Sequence, residues 1–145
     1  EVHLGDLDPV ALSCARLNVP HGQTHLSDLY AALPVDLERR IDVVAANAPY
    51  VPTDRIALMP PEARDHEQRM ALDGGADGVD LHRRIAAGAP VWLAPGGVLM
   101  IETSPLQAAL TAQAMHDAGL STEVVTDEEI GGCVVVGTFR PGEPG

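Results

Sequence analysis

The chain has 145 residues, about one domain's worth and enough to bury a core. Apolar residues make up 46% but aromatics only 3%, so that core must be built from Ala, Val, Leu and Ile, as in buried parallel sheets. The formal net charge of −12 excludes a chain that grips nucleic acid mainly through phosphates, because no basic stripe is present.

The chain starts with a strand over Val2–Gly5, ending at Asp6. Asp8 then caps a helix with Pro9 at its first position, carried by Val10, Leu12, Ala15 and Leu17 to about Asn18. Thr24–Ser27 reads as a second strand that ends at Asp28. Ile41–Ala46 is an unbroken apolar run but for Asp42, the pattern of a strand buried on both faces. A long irregular stretch, 47–78, follows, and loops of that length usually carry function.

Asp80–Ala89 reads as a helix with Leu81 and Ile85 at helical spacing. Pro95-Gly96-Gly97 makes a turn before a strand over Val98–Glu102. Pro105–Ala118 is a helix stopped by Gly119. Ser121–Thr126 and Cys133–Phe139 are two last strands, joined closely enough to pair antiparallel. The predicted fold class is α/β: a mostly parallel Rossmann-like sheet with helices on both faces and an antiparallel C-terminal strand.

The two cysteines, Cys14 and Cys133, form no CxxC pair, so neither a disulfide framework nor a zinc site is signalled. Reduced thiols and a cytoplasmic home fit best. No signal peptide is visible, and no apolar run reaches the ~18 residues that span a bilayer.

In an open α/β sheet, ligands bind beyond the carboxyl ends of the strands. Asp6, Asp28 and the segment Asn47-Ala48-Pro49-Tyr50 all fall at such ends, and would face one crevice if the strands are parallel neighbours. A carboxylate like Asp6 suits the two hydroxyls of a ribose, and Asp28 suits an adenine amino group. Both acids also have plainer readings as caps or loop residues, and Asp8 is better placed than Asp6 to cap the helix.

Asn47–Tyr50 suits a more particular task. The lone pair of an amide or amino nitrogen is delocalised into the adjoining π-system. A site that methylates it must hold both N–H groups so that the lone pair meets the methyl donor. The Asn47 side-chain oxygen and a neighbouring backbone carbonyl supply two acceptors. Pro49 biases Ala48 to an extended conformation, which turns that carbonyl outward. Tyr50 can lie flat on the planar group. The plain alternative is an Asn-x-Pro turn after a strand.

These residues, with Ser27-Asp28-Leu29, Ala71–Asp80, Arg84-Ile85, Leu93–Gly97 and Glu102 to Gln107, resemble the release-factor glutamine methyltransferases over about residues 2–139. The resemblance implies S-adenosylmethionine as cofactor and the side-chain amide of a protein glutamine as substrate, typically in the Gly-Gly-Gln loop of a release factor. It implies cofactor contacts from Asp6, Leu7, Asp28, Leu29 and Asn47. It assigns Asn47, Ala48, Pro49 and Tyr50 to the family's Asn-Pro-Pro-Tyr catalytic motif. Position 48 departs from that motif: the carbonyl survives, but one rigidifying ring is lost.

Measured against the family, the chain starts late. The family's first strand, its glycine-rich loop and the small helical domain before them have no counterpart here. The resemblance therefore implies a partial catalytic domain over 1–139 and a gap between the Asp6 strand and the Ile41–Ala46 strand, while the Pro- and Gly-rich residues 140–145 read as a flexible tail. Self-association or a swapped dimer is one way to fill such a gap. Two rival readings stay open. One is an adenine amino-group methyltransferase acting on nucleic acid, which shares the motif but sits poorly with the acidity. The other is an inactive fragment or split-domain binding module.

Other motifs are decoys. Asp73–Asp80 looks like a calcium loop, but its twelfth position is Arg84 rather than Glu, so it reads as a turn into the next helix. His21 and His25 are four apart, but Pro20 and Gly22 oppose the helix a metal pair would need. Arg64, Arg69, Arg83 and Arg84 read as a solvated rim. Neither a metal nor a membrane contact is expected.

Overall fold

A computed structural model describes residues 1–56 and 73–142. It divides into two compact units, 1–37 and 38–145.

The first unit follows its local signals. Strand β1 (His3–Asp6) leads to helix α1 (Pro9–Asn18), which starts where Asp8 and Pro9 put it. The Asp8 side chain accepts from the Val10 amide at 2.8 Å, meeting one orphan donor of the first turn. Strand β2 (Gln23–Leu26) pairs in parallel with β1. Both strands sit about one residue off the expected bounds. Ser27 leaves the strand because its hydroxyl is used locally, donating to the Leu29 carbonyl and accepting from the Ala32 amide.

The second unit is a four-stranded sheet in the order β3-β4-β6-β5. Its strands are β3 (Ile41–Ala46), β4 (Leu93–Glu102), β5 (Leu120–Asp127) and β6 (Gly132–Phe139). β3 and β4 run parallel, while β6 is antiparallel to both β4 and β5. The antiparallel C-terminal strand and the pairing of the last two strands are thus as expected. Helices α2 (Asp80–Trp92) and α3 (Ala108–Asp117) join them, and α3 packs on β5 and β6. Leu93, Leu99, Ile101, Met115, Leu120 and Val135 are fully buried and form the core.

Several expectations need correction. β3 is not buried on both faces: it is the terminal strand of its sheet, and Val43 is 55% exposed. Pro95-Gly96-Gly97 is not a turn ahead of a strand but a bulge within one. Two steps along β3, Ile41 to Val43, face five along β4, Leu93 to Val98. The three extra residues loop out where Gly96 takes a φ of +81° and Gly97 passes so close to the Ile41 carbonyl that a Cβ would lie 2.8 Å from it.

α2 runs past Ala89 to Trp92 with Pro90 inside it, since a proline so near the end forfeits only one late bond. α3 begins at Ala108 rather than Pro105. The Gln107 amide closes a turn onto the Ser104 carbonyl at 3.0 Å, and its side chain is committed elsewhere. Gly119, at φ +82°, ends that helix as expected.

The expected loop over 47–78 is described only in part, since residues 57–72 lie outside the described residues, Arg64, Arg69, Ala71 and Leu72 among them. Its two ends are tied together. Val51 bridges Asp73, the Gly74 amide donates to the Val51 carbonyl at 2.8 Å, and the Thr53 amide to the Gly75 carbonyl at 2.9 Å. Of the expected tail, 140–142 are described and 143–145 are not. No helix among the described residues is long and apolar enough to cross a membrane.

Candidate functional site

In the first unit, Asp6 closes β1 and is exposed, as is its neighbour Leu7. One Asp6 oxygen accepts from the Asp8 amide at 2.8 Å, a contact that fixes the carboxylate at the strand's end. The capping itself falls to Asp8. Past β2, Asp28 is exposed and Leu29 is held at φ +53°, a conformation non-glycine residues rarely adopt. Such strain costs roughly 1–3 kcal/mol and persists only where the surroundings enforce it. Here the buried Ser27 hydroxyl does so, at 2.8 Å from the Leu29 carbonyl.

This edge suits a nucleoside. A fixed, exposed carboxylate with a second oxygen to offer lies at one strand end, and a pinned loop with its own carboxylate lies at the other. Asp6, Leu7, Asp28 and Leu29, the residues expected at the cofactor, thus fall at the carboxyl ends of two parallel neighbouring strands.

In the second unit, the segment after β3 is held from behind. Asn47 is exposed, Ala48 is 5% exposed, and Pro49 and Tyr50 are half-buried. The Gln107 amide donates to the Tyr50 carbonyl at 2.5 Å and to the Asp77 carbonyl at 3.2 Å. The Ser104 hydroxyl donates to Gln107 Oε1. One side chain thus joins the start of the loop to its return at Asp77-Gly78. Gly78, at φ +81°, passes directly beneath this clamp.

A buried polar pair joins α2 to α3. His82 is fully buried, with Nδ1 2.8 Å from the Thr111 hydroxyl on α3. Burial lowers its pKa below the usual 6.5; the Ala48 carbonyl, close to the ring, opposes that shift and the neighbouring Arg83 adds to it. Sequence reasoning missed His82 and gave Gln107 no structural part. A signal for His82 was present: it sits three, four and seven residues before Ile85, Ala86 and Ala89, squarely on the helix's buried stripe.

The direction of that shift sets a pH dependence. Above pH 6.5 His82 is neutral in both folded and unfolded chains, and stability is complete. Below it the unfolded chain takes up a proton that the folded chain refuses, so stability falls. Melting temperatures measured from neutral pH downward should decline through this range, and less steeply in His82→Gln. An identical slope in the variant would assign the decline to other groups.

Asp73–Asp80 is a turn into α2, as expected. Two of its carboxylates serve Arg83, which reaches Asp77 at 2.6 Å and Asp80 at 2.9 Å. That pairing draws the Asp77 carboxyl down to about 2.

Known structures share this architecture. A methyltransferase from Pyrococcus furiosus superposes over 97% of this chain and 63% of its own, with TM-score 0.66 at 13% identity. A SAM-dependent methyltransferase from Corynebacterium glutamicum does so over 97% and 67%, with TM-score 0.56 at 15% identity. The fold is therefore that of a Rossmann-like methyltransferase.

No protein-family model matches the chain. Its sequence is 38% identical over 122 residues to a release factor glutamine methyltransferase from Cereibacter sphaeroides, covering 80% of this chain and 42% of that protein. It is 36% identical over 127 residues to the enzyme of the same name from Deinococcus radiodurans, covering 88% and 45%. A ribosomal protein uL3 glutamine methyltransferase from Burkholderia pseudomallei is 43% identical over 112 residues, covering 67% and 34%. The chain belongs to the release factor glutamine methyltransferase family. It spans less than half the length of these relatives.

Proposed function

We propose that the chain carries, within residues 1–139, the cofactor-holding edge and the amide-orienting loop of a protein-glutamine methyltransferase. The methyl group passes from the sulfonium of S-adenosylmethionine to the glutamine amide nitrogen. S-adenosylhomocysteine leaves, and the nitrogen loses one proton to solvent. Asp6, Leu7, Asp28 and Leu29 hold the ribose and adenine. The Asn47 side-chain oxygen and the Ala48 carbonyl accept the two N–H groups, Pro49 fixes the backbone beside them, and Tyr50 packs on the amide plane.

The observation that carries this reading is the held segment after β3: an exposed Asn47, a buried Ala48, and a Tyr50 carbonyl that accepts from the Gln107 side-chain amide at 2.5 Å. Its chemistry needs acceptors in fixed positions rather than a strong base. The relatives' names add glutamine as the target, and a release factor is the substrate put forward here, with uL3 as its rival.

The test is transfer of labelled methyl groups to purified release factor, uL3 and duplex DNA. Labelling of a glutamine in the release factor is expected. Labelling of DNA alone would sink the proposal, and labelling of uL3 alone would move the substrate but keep the chemistry. Asp6→Ala should weaken S-adenosylhomocysteine binding by roughly tenfold, about the worth of a charged hydrogen bond, read by calorimetric titration.

A further inference from the structure

Gln107 stands at the N-cap of α3, where a side chain ordinarily caps its own helix, yet it makes no capping bond. It is 8% exposed, and its side chain turns instead to a segment 57 residues away. Nε2 donates to the Tyr50 carbonyl at 2.5 Å and to the Asp77 carbonyl at 3.2 Å, while Oε1 accepts from the Ser104 hydroxyl at 2.5 Å.

The two carbonyls settle which way this amide points. A carbonyl only accepts, so a flipped amide would set Oε1 against two oxygens in a buried place. The Ser104 hydroxyl can donate or accept and follows that choice. With Nε2 facing the carbonyls, all three bonds are made. A glutamate of the same shape would offer a second oxygen where the two N–H groups are needed.

Residues 47–50 are thereby held between two fixed points. On one side, Ala46 is paired with Ile101 in the β3–β4 ladder. On the other, Gln107 holds the Tyr50 carbonyl, and the next carbonyl, that of Val51, accepts from the Gly74 amide at 2.8 Å. Releasing Tyr50 would move the second anchor one residue along and free the peptide that follows the tyrosine ring.

We propose that Gln107 is a positioning residue for methyl transfer: by fixing the Tyr50 carbonyl, it sets the geometry in which Asn47, Ala48 and Tyr50 meet the substrate amide. This rests on the amide-orienting role proposed above for that segment. It also answers the departure at position 48, since a buried side chain supplies stiffness where a proline ring is lacking. None of its partners is among the residues expected at the ribose and adenine, so its loss acts on kcat and spares the cofactor KM.

The test has two parts. In the parent protein, the Gln107 side-chain amide, assigned in NMR spectra by its absence in Gln107→Glu, should exchange its hydrogens more slowly than exposed Gln113. Equal exchange overturns the proposal. Methyl transfer then separates positioning from packing. Gln107→Glu keeps the shape and the Ser104 contact but leaves a donor for at most one carbonyl. Measured well below its melting temperature, it should show a kcat roughly tenfold lower with an unchanged cofactor KM. Combined with Asn47→Ala, the loss should stay near the ~100-fold of Asn47→Ala alone, because a loosened segment no longer presents Asn47. Losses that multiply to roughly 1000-fold would mean the two act independently, and overturn it. Ser104→Ala removes only the hydroxyl that orients the amide and serves should Gln107→Glu not fold. Its kcat should be roughly threefold lower, and an unchanged kcat counts against the proposal. A normal rate in Asn47→Ala would end the amide-orienting reading itself. A normal rate in Gln107→Glu beside a slow Asn47→Ala would end this proposal alone.

Discussion

Gly78→Ala should destabilise the protein by roughly 2–5 kcal/mol, the sum of a left-handed alanine and a forced overlap. Gly78 sits at φ +81°, and an added Cβ would run into the Gln107 amide and the Tyr50 carbonyl oxygen, with Pro52 Cδ at 3.2 Å. Neither of the two struck atoms can give way cheaply. The Tyr50 oxygen is backbone, and Gln107 is 8% exposed and held by Ser104 and Asp77. A control is built into the chain. Gly119 has nearly the same φ, +82°, and a methyl group added there would meet nothing within 4 Å. Gly119→Ala therefore carries the conformational cost alone, about 1 kcal/mol. Denaturant midpoints of the two variants should differ clearly. Equal midpoints would mean that Gly78 does not pass beneath the clamp.

What the sequence made legible follows the range of the forces involved. The start of α1 was plain because Asp8 and Pro9 act within one turn of themselves. The end of α3 was plain for the same reason at Gly119. The hairpin of β5 and β6 needed only a short connection and two β-rich runs. What could not be read depends on partners distant in the chain. Pro95-Gly96-Gly97 looks like any turn until the β3 ladder shows that Leu93 is already paired. Whether Ile41–Ala46 is central or terminal depends on which strands flank it, which its own six residues do not encode.

The site divides in the same way. The four residues 47–50 stood out because their chemistry is local and unusual. Their support did not, since Gln107 is 57 residues from Tyr50 and Thr111 is 29 residues from His82. A buried histidine on a helix stripe reads from sequence as ordinary core. What distinguishes it is the threonine hydroxyl 2.8 Å from its ring.

Asn47→Ala should lower the methyl-transfer rate by about 100-fold, the usual scale for removing one pre-organised partner of a reacting group. The physical reason is geometric. An amide nitrogen offers its lone pair to a methyl donor only when both N–H bonds are held away from the line of attack, and one acceptor leaves the group free to rotate about the other. Asn47 is exposed at the end of β3, and its removal takes nothing from the core. The unfolding midpoint should therefore stay within about 0.5 kcal/mol of the parent, as for surface substitutions generally. Ala48→Gly offers the contrast, because it alters the side chain but leaves the backbone carbonyl in place. It should retain most of its turnover. If Asn47→Ala turned over normally while Ala48→Gly failed, the orienting acceptor would have to lie elsewhere, and the segment after β3 would be a structural turn rather than the place where the amide is held.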